Sequence, residues 1–290
     1  MGNNYLFKGE GISKSFGSTQ ALKNVTITIK KGEIQGLIGE NGSGKSTFSS
    51  ICAGIQKADS GTMYLEGEKY VPNGSIDAMD KGVSMVVQEQ GTVGKITVAA
   101  NVFFGKEADL VKFGVLNVKK MNQEAKRMLE SIGVTEIDPG AVIDTLTFEE
   151  RKLVELARPL YTSPKLWIVD ETTTALTVNG REILYKLMQN IRDQGGAVLF
   201  ISHDIEEIMK ICDSLTILRD GVLTAELSKD EFEEEKIKQL MIGREMSAHY
   251  YREDEKENYQ EEAALETKNL CCQSLKDINV VLHKGEILGV

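Results

Sequence analysis

The most informative segment of the chain reads Gly39-Glu40-Asn41-Gly42-Ser43-Gly44-Lys45-Ser46-Thr47. It has the spacing G-x-x-x-x-G-K-[ST] of a phosphate-binding loop (Walker A). The glycines allow the backbone to turn tightly and bring its N–H groups against phosphate oxygens. Lys45 would place a positive charge beside the β- and γ-phosphates, and Ser46 would offer a hydroxyl to Mg²⁺. All nine residues are therefore predicted to bind a nucleoside triphosphate.

The residues on either side of this loop have the character that such a loop requires. Glu33 to Ile38 form a short apolar segment typical of a strand, and Ser46 to Ala53 are suited to a helix. A helix that begins at the lysine directs its positive N-terminal end at the anion. The alternative is a glycine-rich turn without a ligand, and the strand before it and helix after it favour the nucleotide loop.

Composition and charge limit the classes of function that are open to the chain. It has 290 residues, of which 41% are apolar and 27% charged, as is usual for a globular domain. No apolar run is long enough to cross a bilayer and no secretory signal is visible, so we expect a cytoplasmic protein. The formal charge of −10 argues against a nucleic-acid partner.

A second motif lies at Leu166-Trp-Ile-Val-Asp170-Glu171, an apolar strand that ends in two carboxylates. This is the Walker B pattern. Asp170 would hold Mg²⁺ through water, and Glu171 would orient or deprotonate the attacking water. The alternative, two solvated acids at the end of a strand, is disfavoured by the presence of the phosphate-binding loop.

Three further side chains are candidates because of their positions beside predicted strands. Gln88 and His203 follow apolar strands, where ligands bind in an α/β sheet, and are predicted to contact Mg²⁺ or water and the γ-phosphate, respectively. Phe16 precedes the loop strand and could stack on a base. An ordinary strand-end glutamine, a structural histidine and a packed turn aromatic are the alternatives.

Helical periodicity sets apart the middle of the chain. Asn117 to Ile132 and Phe148 to Leu160 each carry apolar residues on one helical face. We predict a helical subdomain over residues 92–163, inserted between strands of a nucleotide-binding domain that spans residues 5–245.

The C-terminal part of the chain contains an internal repeat. Leu275–Val290 matches Leu22–Leu37 at a constant offset without a gap. We predict an acidic linker over residues 246–266, followed by the truncated start of a second nucleotide-binding domain over 267–290. The chain is interpreted as a fragment or a truncated product.

Together these motifs resemble those of the ABC transporter ATPase family, over residues 5 to about 242. The resemblance rests on six motifs in order: Phe16 (A-loop), Gly39–Thr47 (Walker A), Gln88 (Q-loop), Leu166–Glu171 (Walker B with the catalytic glutamate), Thr174–Thr177 (D-loop) and His203 (H-loop). It implies an α/β P-loop NTPase with a mostly parallel core sheet, an antiparallel β subdomain and a helical subdomain. It also implies ATP and Mg²⁺ as ligands. In the roles of the family, Lys45, Gln88, Glu171 and His203 act in hydrolysis, and Ser46, Gln88 and Asp170 serve the metal.

Tandem domains joined by a short linker look like the ATP-binding subunit of bacterial sugar importers of the ribose/galactose type. Such a subunit lies at the cytoplasmic face of the membrane, hydrolyses ATP beneath permease subunits, and works indirectly with an extracytoplasmic sugar-binding protein. The resemblance leaves open a nucleoside or other small-molecule importer. A soluble tandem ABC protein acting on ribosomes or DNA and a non-hydrolysing regulator are further alternatives, and the acidic charge counts against the former.

Three departures from the family pattern affect these expectations. The signature L-S-G-G-Q is replaced by Leu146-Thr-Phe-Glu-Glu150, in which Thr147-x-x-Glu150 reads as a capping box. Thr172 stands where the family has proline, and Thr177 where the D-loop has aspartate. Family dimers are head-to-tail, so we predict an asymmetric pair. The site built on Gly39–Thr47 hydrolyses with the signature of a second domain, the site completed by Leu146–Glu150 is degenerate, and the chain alone is weakly active.

Overall fold

The computed structural model describes residues 5–87, 91–243, 260–272 and 276–289, and the chain divides into two units, residues 1–244 and 245–290. The strands are β1 Tyr5–Phe16, β2 Thr19–Lys30, β3 Ile34–Ile38, β4 Ser60–Leu65, β5 Glu68–Tyr70, β6 Val83–Val86, β7 Val111–Lys112, β8 Val115–Leu116, β9 Leu166–Asp170, β10 Ala197–Ile201, β11 Ser214–Arg219, β12 Val222–Ser228, β13 Ala263–Leu270 and β14 Ile278–His283. The helices are α1 Lys45–Cys52, α2 Ser75–Asp80, α3 Val98–Val102, α4 Val118–Ser131, α5 Phe148–Thr162, α6 Val178–Asp193, α7 Ile205–Ile211 and α8 Glu234–Ile242.

The main sheet of the first unit has six strands in the order β12-β11-β3-β10-β9-β6. All neighbouring pairs are parallel except β11 and β12, which form an antiparallel hairpin. Strands β3, β9 and β10 are buried along their whole length, as their continuous apolar sequences predict for strands covered on both faces. The loops that follow these three strands begin at the same edge of the sheet. The α/β fold with a mostly parallel core sheet is confirmed.

A separate antiparallel sheet has the order β2-β1-β4-β5. The alternating apolar residues of β1 and β2 turn one face of this sheet inward, where Phe7, Ile27 and Ile29 are fully buried with Phe48 of α1. This is the predicted antiparallel β subdomain. It places the start of β2 beside the phosphate-binding loop, because the carbonyl of Ala21 approaches Gly44.

Helices α3, α4 and α5 lie between β6 and β9 in the chain and pack on one another. Helix α4 buries Met121, Ala125 and Leu129, which lie four residues apart, and begins at Asn117, whose side chain accepts a hydrogen bond from the amide of Lys120 at 3.0 Å. The helical subdomain is confirmed as a part of the fold. Its bounds at residues 92–163 stay a prediction.

The second unit contains a hairpin that repeats the β1–β2 pairing. Leu265 opposes Leu282 and Leu270 opposes Ile278, as Phe7 opposes Ile29 and Ile12 opposes Val25. The carboxylate of Glu286 accepts a hydrogen bond from the amide of His283, and that of Glu33 accepts one from the amide of Lys30. The internal repeat therefore extends from sequence to strand register. That this hairpin begins a second nucleotide-binding domain after a linker stays a prediction.

Two other features of the fold concern helices. Helix α8 begins at Glu234. The residues before it, Lys229–Glu231, form a separate 3₁₀ turn, whose N-cap Ser228 makes a capping box with Glu231. In the ranges that the structure describes, no helix is both long and apolar enough to cross a membrane.

Candidate active site

The phosphate-binding loop connects β3 to α1 with a backbone that only glycine fits at two positions. A side chain at Gly44, where φ is 105°, would place Cβ 2.6 Å from the carbonyl oxygen of Ala21. At Gly39 a Cβ would lie 2.1 Å from the carbonyl oxygen of Leu218. Helix α1 has no side-chain cap at Gly44, so the amides of its first turn keep their capacity to bind an anion.

Lys45 folds back over the loop. Its Nζ donates to the carbonyl oxygens of Gly39 at 2.9 Å and Glu40 at 3.2 Å, and only 5% of the residue is exposed. Burial lowers the pKa of Lys45, while the carboxylates of Glu171 and Asp170 act in the opposite direction. A phosphate group would give this ammonium a better partner than two neutral carbonyls.

Asp170 ends β9 and faces α1. Its Oδ2 accepts a hydrogen bond from Ser49 Oγ at 3.2 Å, whereas its buried Oδ1 has no hydrogen-bond partner in the described part of the chain. Burial raises the pKa of Asp170, with the hydrogen bond from Ser49 opposing the rise. An unsatisfied carboxylate oxygen, on a residue with which the Ser46 side chain also interacts, suits a hard cation such as Mg²⁺. The residues present therefore fit the predicted metal. The described residues contain no cluster of three or more His, Cys, Asp or Glu side chains that could hold an ion by themselves.

Glu171 and His203 follow the adjacent strands β9 and β10. The Oε2 atom of Glu171 is 3.9 Å from Nδ1 of His203, and the amide of Glu171 donates to the carbonyl of Ile201 at 3.0 Å. Glu171 has a left-handed backbone with φ of 41°, which is unusual for a residue with a side chain. The structure thus places Asp170 and Glu171 near Lys45 and His203 beside Glu171, and the roles predicted for these four residues stay predictions.

Comparison with known families agrees with this geometry. The family model described as "ABC transporter" matches residues 22–174, just over half of the chain. The chain belongs to the ABC transporter family.

Two relatives that share one name align with nearly the whole chain. The Ribose import ATP-binding protein RbsA of Clostridium perfringens (strain SM101 / Type A) is 37% identical over 98% of this chain and 56% of that protein. The protein of the same name from Chromobacterium violaceum is 35% identical over 97% of this chain and 55% of that protein. The chain therefore spans about half the length of the curated relatives it matches.

Two solved structures show the same fold. The ADP conformation of MJ1267, an ATP-binding cassette of an ABC transporter, has a TM-score of 0.69 at 24% identity, covering 83% of this chain and 100% of that one. The structure of cbiO1 from Clostridium perfringens, part of the ABC transporter complex cbiONQ, has a TM-score of 0.65 at 25% identity, covering 81% and 93%. Both cover most of the first unit.

The structure describes the A-loop aromatic, Phe16. Phe16 is the last residue of β1, and 48% of it is exposed, with Nζ of Lys14 lying 5.6 Å from the ring centroid. Its ring is thus open to a base, and stacking stays a prediction.

Gln88, the predicted Q-loop residue, lies outside the described residues. The residues on either side of the segment 88–90 are held by α5, since Lys152 Nζ donates to the carbonyl of Val87 at 2.7 Å and Glu155 accepts from the amide of Gly91 at 2.6 Å.

The segment that replaces the family signature is closed by its own side chains. The amide of Thr147 donates to Glu150 Oε2 at 2.7 Å, and the Thr147 hydroxyl accepts from the amide of Glu150 at 3.3 Å. The predicted capping box is confirmed. The hydrogen bonds that the amide and the hydroxyl of Thr147 donate to this carboxylate lower the pKa of Glu150, so α5 carries a carboxylate at the position where the family pattern has glutamine.

The sequence interpretation missed several buried polar residues around the site. Lys152 and Glu155 are each 1% exposed, although only the apolar residues of α5 were predicted to face inward. Glu207 of α7 is also buried, and it connects the loops that carry Glu171 and His203. No local signal in the sequence marks Glu207 as buried, because a charged residue on a short helix is ordinarily exposed to solvent.

Proposed function

We propose that this chain is the ATP-binding and ATP-hydrolysing part of a bacterial ABC importer that takes up a sugar. The observation that carries the proposal is the arrangement of Lys45, Asp170, Glu171 and His203, which lie at or beyond the carboxyl ends of three adjacent buried strands, with both carboxylates near Lys45 and His203 beside Glu171. These groups supply what phosphoryl transfer to water requires, namely charge neutralisation, a metal-binding oxygen and a base. Family membership makes ATP the substrate that the loop is expected to hold.

Each group of site residues has its own proposed role in ATP binding and hydrolysis. The amides of Gly39–Thr47 and the ammonium of Lys45 bind the phosphates, and Phe16 stacks on the base. Ser46 and Asp170, with Gln88, would hold Mg²⁺, which when bound neutralises phosphate charge. Glu171 accepts a proton from the attacking water. His203, next to Glu171, donates a hydrogen bond to the γ-phosphate and keeps the two reacting groups in register.

The importer and its solute are proposed from the relatives. Two of them are called ribose import ATP-binding proteins, and they align over nearly the whole chain. We therefore infer permease subunits as membrane partners, a position at the cytoplasmic face of the membrane and indirect cooperation with an extracytoplasmic sugar-binding protein. A nucleoside or another small molecule is the alternative solute. The formal charge of −10 favours an importer over a ribosome-bound or DNA-bound protein.

The active dimer is proposed to be asymmetric. The repeated β13–β14 hairpin and the greater length of the relatives support a second nucleotide-binding domain in the same full-length protein. That domain would supply the signature for the Gly39–Thr47 site. The capping box occupies the amides of Thr147 and Glu150, and the segment Leu146–Glu150 adds negative charge, so the site that it completes would be inactive. In isolation the chain would bind ATP and hydrolyse it poorly.

The test measures binding and turnover separately. We expect Lys45→Ala to weaken ATP binding by about 10-fold or more, since a buried charged contact to phosphate is lost. Glu171→Gln should keep ATP binding and lower turnover by the full-length protein about 100-fold or more, because the general base is removed. Steady-state hydrolysis that survives Glu171→Gln would disprove the role of Glu171. Absence of ATP binding by the unmodified chain would disprove the proposed function.

The solute is tested by transport. Deletion of the gene should abolish uptake of labelled ribose, and unlabelled ribose should compete more strongly than a nucleoside. Uptake of a nucleoside that depends on the gene, with ribose uptake unchanged, would establish the alternative importer.

A further inference from the structure

Glu207 is a buried carboxylate with an unusual number of hydrogen-bond donors. Only 6% of the residue is exposed. Its Oε2 accepts from the hydroxyls of Thr173 at 2.9 Å and Ser202 at 3.0 Å, and its Oε1 accepts from the hydroxyl of Tyr185 at 2.8 Å and from Arg181 at 3.4 Å. Burying a charge is costly unless its acceptor sites are used, and here both oxygens are used.

The two partners of Oε2 belong to the loops that carry the reacting groups. Thr173 is two residues after Glu171, and Ser202 directly precedes His203. One oxygen atom therefore joins the loop after β9 to the loop after β10. Each loop makes one further hydrogen bond close to Glu207. Arg181 Nε donates to the Thr173 carbonyl at 3.2 Å, and Ser202 Oγ accepts from the amide of Asp204 at 3.0 Å.

The backbone of Glu171 needs such support. Its left-handed conformation, with φ of 41°, costs free energy and persists only where surrounding contacts impose it. The amide of Glu171 is held by Ile201 on one side, and the hydroxyl of Thr173 is held by Glu207 on the other. Loss of the carboxylate of Glu207 would remove the hydrogen bond from Thr173 and, at the same time, the hydrogen bond from Ser202.

We propose that Glu207 is a positioning residue for ATP hydrolysis: through Thr173 and Ser202 it fixes Glu171 and His203 relative to each other. The inference rests on the proposed function, because it assigns those two residues to the reaction. Glu207 does not contact the substrate. Its effect is to keep the Glu171 carboxylate and the His203 imidazole at their separation of 3.9 Å.

The main test compares Glu207→Ala with Glu206→Ala in the natural full-length protein. Glu206 is the exposed neighbour on the same helix, so its removal changes the net charge equally. We expect Glu207→Ala to lower kcat about 10- to 100-fold, because a small misplacement of reacting groups has an effect of that order. The Kd for ATP should stay within about two-fold, since Gly39–Thr47 lies on other elements. Glu206→Ala should leave both quantities unchanged.

Single-donor variants separate positioning from general stabilisation. Thr173→Val and Ser202→Ala each remove a donor to Oε2, and Tyr185→Phe removes a donor to Oε1 that is not attached to either loop. Thr173→Val and Tyr185→Phe each lose one buried hydrogen bond and should lower the melting temperature comparably, whereas Ser202→Ala also loses the hydrogen bond from the amide of Asp204 and should lower it more. Only Thr173→Val and Ser202→Ala should lower kcat by more than about three-fold. These variants also decide the matter if Glu207→Ala does not fold.

The outcomes distinguish this inference from the proposed function. If the unmodified protein binds no ATP or does not hydrolyse it, the proposed function fails. If it hydrolyses ATP and Glu207→Ala, folded, keeps its kcat, or if Tyr185→Phe lowers kcat as much as Thr173→Val and Ser202→Ala do, positioning by Glu207 is wrong.

Discussion

Glu149 Oε1 accepts two hydrogen bonds from Thr177, one from the amide at 3.0 Å and one from the hydroxyl at 2.5 Å. Thr177 is the N-cap of α6, so this carboxylate lies at the positive end of that helix. In the family pattern, position 149 is a glycine of the signature and position 177 an aspartate of the D-loop. Two departures that look independent in the sequence therefore form one contact.

The first prediction is that these two residues are energetically coupled. Glu149→Ala and Thr177→Val should each lower the free energy of unfolding by about 1 kcal/mol, because each removes a charge-assisted hydrogen bond at an exposed site. Since both residues take part in the same hydrogen bond, the two losses should not add. The double variant should lose less free energy of unfolding than the sum of the single losses, by at least about 0.5 kcal/mol. Urea denaturation of the four proteins measures the cycle, and strict additivity would contradict the contact.

The second prediction concerns the site that Leu146–Glu150 completes. Replacing Phe148 and Glu149 by glycine removes the bulky ring and the anion from the start of α5. Each glycine should lower stability by up to about 1 kcal/mol. In the full-length protein with Glu171→Gln, ATP retained per molecule at saturation should rise from about one toward two, as expected if the altered signature excludes the second nucleotide.

An unchanged ratio after these replacements would show that the signature segment is not what limits the second site. The matched control replaces Val118 by glycine, because Val118 is the first residue of another exposed helix start, that of α4. This change should lower stability without altering the ATP ratio.

Local signals made most of the first unit predictable. The loop Gly39–Thr47 and the strand ending in Asp170 each have a pattern within a few residues. The dipeptide Asp220-Gly221, a common hairpin-turn sequence, forms the β11–β12 turn with positive φ at both residues. The capping box at Thr147 and Glu150 is likewise local. These features could be placed before any tertiary structure was known because their hydrogen bonds connect near neighbours in the chain.

The buried polar contacts could not be predicted in this way. Lys152 and Glu155 reach Val87 and Gly91, which are more than sixty residues away in the sequence, and nothing in α5 marks them as buried. Glu207 likewise depends on partners that come from three separate elements. From the sequence alone, a charged residue of a helix is predicted to be exposed to solvent. Only the tertiary structure shows which charged residues are buried and which groups are their hydrogen-bond partners.

The third prediction separates backbone strain from steric clash in the phosphate-binding loop. Gly42 and Gly44 both have positive φ, 83° and 105°, but a Cβ at Gly42 meets nothing within 4 Å, whereas one at Gly44 would lie 2.6 Å from Ala21 O and 2.7 Å from Leu22 Cδ2. Gly42→Ala should therefore cost about 1–2 kcal/mol of stability from strain alone. Gly44→Ala should cost more and weaken ATP binding about 10-fold or more, since the loop must move. Thermal unfolding and titration with ATP give both numbers, and equal effects would contradict the clash.

The fourth prediction is that the Lys152–Glu155 pair is costly to break. Lys152 Nζ lies 3.1 Å from Glu155 Oε2, and both residues are buried. Lys152→Met leaves Glu155 buried without its partner and should lower the free energy of unfolding by about 3–5 kcal/mol, whereas Lys152→Met with Glu155→Met should recover most of that loss. The exposed pair Lys126–Glu130, at 3.8 Å, is the matched control, and Lys126→Met should cost less than about 1 kcal/mol.

The same pair predicts how this loss depends on pH. Burial raises the pKa of Glu155 in the folded protein, and Lys152 partly offsets the rise. A carboxyl with a raised folded pKa costs no stability below its ordinary value. The cost grows as pH rises from that value to the folded pKa and is constant above it. Lys152→Met raises the folded pKa of Glu155 further, so the deficit of this variant relative to the unmodified protein should be larger at pH 8 than at pH 5. Urea denaturation at the two pH values measures it, and a deficit that is larger at pH 5 would mean that Glu155 is not the group left unpaired.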